Sequence, residues 1–173
     1  MIENNKLYFF TSTILNWQHL LKPDKYKDII INSLKYLIQN KKIRLFAFVI
    51  MPNHIHLVWK AEDKYRYSDI IRDFKKFTAQ AIKLDLKTHH PMVLERFKTN
   101  GRDREYQIWE RESLSIELIS THVCEQKINY IHANPLSFKW KLAINPQDYK
   151  YSSAKFYYDN IDEFGILENY MNL

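Results

Sequence analysis

Two short stretches of this 173-residue sequence carry side chains whose types and spacing suit phosphoryl chemistry. In a strand, alternate residues face the same way, so His54-Ile55-His56 sets two imidazoles side by side and sends Ile55 and Leu57 to the other face. Neutral imidazole is a common ligand for divalent ions, and such a pair fixes two coordination positions while leaving others open to water or substrate. Tyr130 and Asn134 are four residues apart, one turn of a helix, which co-presents a phenol and an amide oxygen. A cation held by two imidazoles and an amide oxygen keeps nearly its full charge and can polarise a phosphodiester. A tyrosine beside it can attack phosphorus and store the bond as a phosphotyrosine. The spacings by themselves leave ordinary alternatives open: histidines with no ligand, and one of 12 tyrosines packed near a helix end.

The elements that must position these groups follow from periodicity. Leu7 to Thr13 is aromatic and β-branched and reads as a first strand. Asp24 to Asn40 repeats apolar residues at three- and four-residue steps, predicting a helix, with Pro23 suited to its start. Ile43 to Met51 and His54 to Lys60 form a hairpin across the turn at Met51-Pro52-Asn53. Ser68 to Leu84 gives a capped amphipathic helix carrying Arg72, Lys75, Lys76 and Lys83 on its wetter sides. A polar stretch follows, containing His89, His90, Pro91, Asn100 and Gly101 and a short strand at Tyr106 to Trp109. A second amphipathic helix spans about Ser113 to His132 and ends near Asn134-Pro135, because the residue before proline avoids helical geometry. From about Lys139 a tail carries a turn at Asn145-Pro146 and the segment Tyr149 to Tyr158, whose register the pattern does not fix. The order predicts one α+β domain over 1–173, an antiparallel sheet with helices packed on one face.

Composition narrows the function. Hydrophobic residues at 46% and aromatics at 15% describe a globular chain rather than a disordered one. The net charge of +6 favours a polyanionic partner, nucleic acid first. With only Gly101 and Gly165, glycine loops that cradle phosphates are excluded. A single cysteine, Cys124, leaves no disulfide or zinc framework and reads as a small core residue. No apolar run approaches membrane-spanning length and the start lacks an export-signal layout, so the expectation is a soluble cytoplasmic protein without a membrane partner.

Three motifs taken together resemble a known family. Met51-Pro52-Asn53-His54-Ile55-His56-Leu57-Val58, then Tyr130-Ile131-His132-Ala133-Asn134-Pro135, then Pro146-Gln147-Asp148-Tyr149-Lys150-Tyr151-Ser152-Ser153-Ala154 are similar in order and spacing to the REP-associated tyrosine transposases. These belong to the single-tyrosine HUH transposases of the insertion-sequence-200 type, and the resemblance covers roughly Leu7 to Tyr157. It implies a ferredoxin-like antiparallel sheet with the histidine pair on a central strand and the nucleophilic tyrosine on a helix facing it. It also implies Mg²⁺- or Mn²⁺-dependent cleavage and rejoining of single-stranded DNA near a hairpin. Carried over, His54 and His56 are metal ligands, Asn134 the third ligand, and Tyr130 the nucleophile that keeps the 5′-phosphate. Relatives of this type include monomers and homodimers. The chain departs from the family pattern at Trp109-Glu110-Arg111-Glu112 and at Leu136-Ser137-Phe138, positions that bear on DNA specificity more than on catalysis.

Around this set, Arg72, Lys75, Lys76 and Lys83 could line a phosphate track, with aromatic residues stacking unpaired bases. Gln126 lies one turn before Tyr130 and could orient its hydroxyl. His132 sits between Tyr130 and Asn134 but points off their shared face, which leaves it a supporting contact at most. His89 and His90 read as a surface pair. Two other readings compete with the transposase: a domesticated hairpin-binding module that no longer cleaves, and a phosphodiesterase in which water attacks.

Overall fold

The computed structural model describes residues 6–101 and 103–173, so the first five residues read for an export signal lie outside the described residues. β1 (Tyr8–Thr13), α1 (Asp24–Gln39), β2 (Ile43–Ile50), β3 (His54–Ala61), α2 (Tyr67–His89) and β4 (Leu114–Glu117) follow one another along the chain. The strands form one antiparallel sheet in the order β2-β3-β1-β4. This is the ferredoxin-like arrangement, with β3 and β1 in the middle. The expectation of an antiparallel sheet with helices holds, and α1 and α2 share one face as anticipated. The opposite face is not bare, because a later helix, α4 (Thr121–Ala133), covers part of it.

Strand alternation sorts the side chains into two cores. Tyr8, Phe10, Leu45, Phe48, Ile55, Leu57 and Trp59 point toward α1 and α2, where Ile30, Leu34, Phe74 and Ile82 complete the larger core. Phe9, Ala47, Val49 and Val58 point the other way, toward Cys124, Ile128 and Ile131 of α4. An irregularity between Leu45 and Ala47 turns Phe46 to the α4 side as well. Cys124 is buried in that second core, as its residue type suggests.

Several boundaries differ from the sequence expectation. Residues 114–117 pair with β1 as an edge strand, and the helix assigned to begin at Ser113 begins instead at Thr121. Its cap is Ser120, whose hydroxyl accepts the Val123 N–H. α2 runs on to His89 because Leu86 continues its buried stripe, while Ser68, expected as its cap, lies inside it. Pro91 then opens the short α3 (Pro91–Leu94) where a loop was expected. The strand expected at Tyr106 to Trp109 reduces to isolated bridges, Tyr106 to Lys98 and Trp109 to Ile14. No helix among the described residues is long and apolar enough to cross a membrane.

The tail that had no assigned register is stitched to the outer edge of β2. Ser152 bridges Val49, Ser153 N–H donates to the Phe48 carbonyl, and the short α5 (Ala154–Asp159) follows. His132, 2% exposed, reaches from α4 to Ser153 Oγ at 2.9 Å and tilts against Tyr157. It therefore clamps helix, tail and β2 together, on the side away from Tyr130.

Burial lowers the His132 pKa to about 4, so it stays neutral in the folded chain where an unfolded histidine would take a proton. As pH falls below about 6.5, the unfolded state gains that proton first and stability drops, by up to about 1.4 kcal/mol per pH unit until the folded value is reached. Urea titrations at pH 7 to 5 should show this slope reduced by about one proton in His132→Gln. An unchanged slope would mean that His132 is already protonated in the native state.

Candidate active site

β3 begins directly after a turn whose backbone is held on both sides. Ile14 N–H donates to the Asn53 carbonyl, Leu21 N–H to Pro52, and Met51 N–H to His54. The register puts Thr13 opposite His54 and Thr11 opposite His56, so both imidazoles lie on the α4 side in the middle of the sheet. Their ring centroids are 4.7 Å apart.

The tautomer of each ring follows from its neighbours. Asn53 Nδ2 donates to the Trp17 carbonyl at 3.1 Å, which can only accept, so Asn53 Oδ1 faces His54 Nδ1 at 2.7 Å. His54 Nδ1 therefore carries the proton, and its Nε2 keeps a lone pair. His56 Nδ1 meets Thr11 Oγ1 at 2.8 Å, while its Nε2 is buried without a hydrogen-bond partner among the described residues. Desolvation lowers His54 to about 4, helped by Lys139, and His56 to about 3, helped by His54 and Lys127. Both rings are neutral at pH 7, the state that binds cations.

Tyr130 reaches the same place from α4. Ile128 and Ile131 bury their side chains against the sheet and leave Tyr130 52% exposed beside the two central strands. Its ring lies 5.3 Å from that of His56 and 6.0 Å from that of Phe9, which in turn stacks on His56 at 5.1 Å. Asn134 keeps helical geometry (φ −56°, ψ −46°) despite preceding Pro135, contrary to the usual pre-proline preference, and begins a 3₁₀ turn. That extra turn brings Asn134 into a cleft of about 410 Å³ with His54, His56 and Tyr130.

The donors fit a divalent ion. An unpartnered buried imidazole nitrogen, a second ring with its proton fixed on the far side, and an amide line one cleft. No group of three or more His, Cys, Asp or Glu among the described residues could hold a metal, so a third protein ligand must be of another type, such as the Asn134 amide.

The remaining sequence candidates separate. Arg72, Lys75, Lys76 and Lys83 line a different groove, of about 710 Å³, between α2 and residues 103–113. Arg72 is held by Asp69 at 2.7 Å and by Asp73, and Lys75 donates to the carbonyls of Glu110 and Arg111 at 2.8 and 3.0 Å. Lys75 is thus a strut for the loop. Lys76 and Lys83 make no ion pair among the described residues and leave their charge available. This groove lies on the α2 side of the sheet, and Glu110 on its wall donates its N–H to the carbonyl of Thr13, which lines the cleft. Gln126 is exposed and pairs with His122 at 3.1 Å, outside the cleft that Tyr130 lines. His132 belongs to the tail clamp. His89 and His90 are exposed, with His90 beside Lys25.

Sequence reasoning missed Thr11, Asn53, Lys127, Trp17 and Trp140. Lys127 Nζ sits 4.8 Å over the Phe9 ring and 5.9 Å from that of Tyr130, with no ion pair among the described residues. Its i−3 spacing from Tyr130 was the available signal. The others needed the register of β1 or the path of the tail.

Known proteins agree with this architecture. The sequence matches the family described as "Transposase IS200 like" over residues 13–126. The solved structure of a REP-associated tyrosine transposase bound to a REP hairpin superposes with a TM-score of 0.67 at 17% identity, covering 97% of this chain and 86% of that one. A putative transposase from Deinococcus radiodurans R1 gives a TM-score of 0.48 at 16% identity, over 76% of this chain and 91% of that chain. No curated protein sequence matches significantly. The family match spans about two thirds of the chain and takes in the histidine strand and the start of α4, as far as Gln126, so this protein belongs to the IS200-like transposases.

Proposed function

We propose that this protein cleaves and rejoins single-stranded DNA near a hairpin, with Tyr130 as the nucleophile and Mg²⁺ or Mn²⁺ as the cofactor. The observation that carries the reading is the 5.3 Å approach of the Tyr130 ring to that of His56, whose buried Nε2 has no hydrogen-bond partner among the described residues. The hairpin is supported by the fold neighbour, which binds a REP hairpin. A divalent ion held by His54, His56 and Asn134 would supply Lewis-acid polarisation of the scissile phosphate.

The chain's own groups do the rest. The Tyr130 phenol gives up its proton as its oxygen bonds to phosphorus, the P–O3′ bond breaks, and the departing 3′ oxygen takes up a proton, so no net proton is gained or lost. One product ends in a 3′-hydroxyl and the other is esterified to Tyr130 through its 5′-phosphate, so rejoining is the reverse reaction with a new 3′-hydroxyl. Lys127 adds a positive charge where negative charge gathers on the phosphoryl oxygens. Lys76 and Lys83 are the basic-groove residues we assign to the flanking backbone. Imidazole ligands suit transition metals better than Mg²⁺, which favours Mn²⁺ in vitro.

With hairpin-bearing single strands and Mn²⁺, the wild-type protein should yield a denaturation-resistant protein–DNA adduct that Tyr130→Phe abolishes. Persistence of the adduct in that variant would remove Tyr130 from the mechanism, and protein-free product ends made at wild-type rate would assign the attack to water. Lys127→Met should fold normally and slow adduct formation on the order of 10²-fold, the loss expected for one charge-stabilising donor; an unchanged rate would leave Lys127 with packing alone. Asn53→Ala frees the His54 ring to turn, and titration calorimetry should show Mn²⁺ binding about 10- to 100-fold weaker. Equal affinity would show that Asn53 does not orient His54.

A further inference from the structure

We infer that Trp17 and Trp140 form an aromatic jaw that grips one unpaired base beside the scissile phosphate. The inference rests on the proposed single-strand chemistry and adds the group that selects single strands at that site. Tryptophan is rarely left in water without a use, yet Trp17 is 60% exposed and lines the same cleft as His54, His56 and Tyr130. Its backbone is left-handed (φ 55°), and so is that of Asn16 (φ 54°), a conformation that side chains rarely adopt.

Three contacts hold it there. Trp17 N–H donates to the Ile14 carbonyl at 2.9 Å, Asn16 N–H to Glu110 Oε1 at 2.8 Å, and Asn53 Nδ2 to the Trp17 carbonyl at 3.1 Å. The last contact matters most, because the same amide fixes His54 through its oxygen. The exposed indole and the catalytic imidazole are thus set by one side chain.

Trp140 lines the cleft as well, with its ring 6.1 Å from His54 and 5.2 Å from His19. Lys139 Nζ stands 5.1 Å over its face. Two indoles and a nearby cation, in a cleft lined by no carboxylate among the described residues, are the elements of a single-strand site: a π-face for a base and a charge for its phosphate. A base inside a duplex has both faces covered by its neighbours and cannot enter such a jaw.

The test uses the full chain carrying Tyr130→Phe, so that DNA binds without being cut. Single strands flanking a hairpin, each with one 2-aminopurine at a successive position, are titrated and read by fluorescence. One position should be strongly quenched on binding. Trp17→Leu and Trp140→Leu, added singly, should each lose that quench and weaken binding about tenfold, while Trp17→Phe retains most of both. Strands that bind equally well with the same quench in both leucine variants would overturn the jaw and leave the proposed function standing. Trp17 lies on the surface, so its variants decide the matter even if Trp140→Leu fails to fold. Failure of the parent protein to bind any strand would overturn the jaw together with the function it rests on.

Discussion

The architecture of the site depends on the docking of α4 against the second face of the sheet. α1 and α2 cover only the first face of the sheet, and the second carries Phe9, Phe46, Val49 and Val58, which also have to leave water. Ile128 and Ile131 each contribute about 1.5–3 kcal/mol by leaving water on that second face, and with them the helix becomes a fixed platform. Docking carries Tyr130 to the ring of His56 and, through one further 3₁₀ turn, carries Asn134 to the same cleft. His132 completes the arrangement by tying the far side of α4 to Ser153 and so to β2. The Tyr130 phenol is exposed because α4 turns Cys124, Ile128, Ile131 and His132 inward and leaves Tyr130 off that buried stripe.

The site also holds several local arrangements that a stability optimum would avoid. Two imidazoles sit in the middle of a sheet, and burial keeps both uncharged. One of their nitrogens has no partner among the described residues, in a place where an unmade hydrogen bond costs about 1–3 kcal/mol. Two successive left-handed residues at Asn16 and Trp17 cost roughly 1–2 kcal/mol each. These costs gather around one cleft, and the hydrogen bonds that offset them run through Asn53 and Thr11. Such concentration is typical of sites where strain and desolvation serve a ligand.

Much of this was legible in the sequence, and the gaps have physical causes. The histidine pair could be read because strand alternation is strict, and the Tyr130–Asn134 pair because helical spacing is. β4 was hidden: as an edge strand it leaves Leu114 and Ile116 exposed, so no buried face announces it, and its apolar residues run on in near-helical spacing toward Val123. Lys75 reads as a surface cation from its helix position, yet its long stem lets it reach two carbonyls of a loop some 35 residues on. Gln126 shares a helical face with Tyr130, but His122 one turn earlier captures its amide. Thr11, Asn53 and Trp17 act through sheet register and turn geometry, which one sequence without its fold does not display.

In the proposed site a sheet-borne imidazole pair and a phenol from a distant helix converge on one cation. Electron-nuclear double resonance on bound Mn²⁺, in protein grown with ring-deuterated tyrosine, measures this directly. Convergence should give couplings to two imidazole nitrogens and a deuterium coupling that vanishes in Tyr130→Phe. Mn²⁺ bound with no nitrogen coupling, or with a deuterium signal indifferent to that substitution, would contradict it.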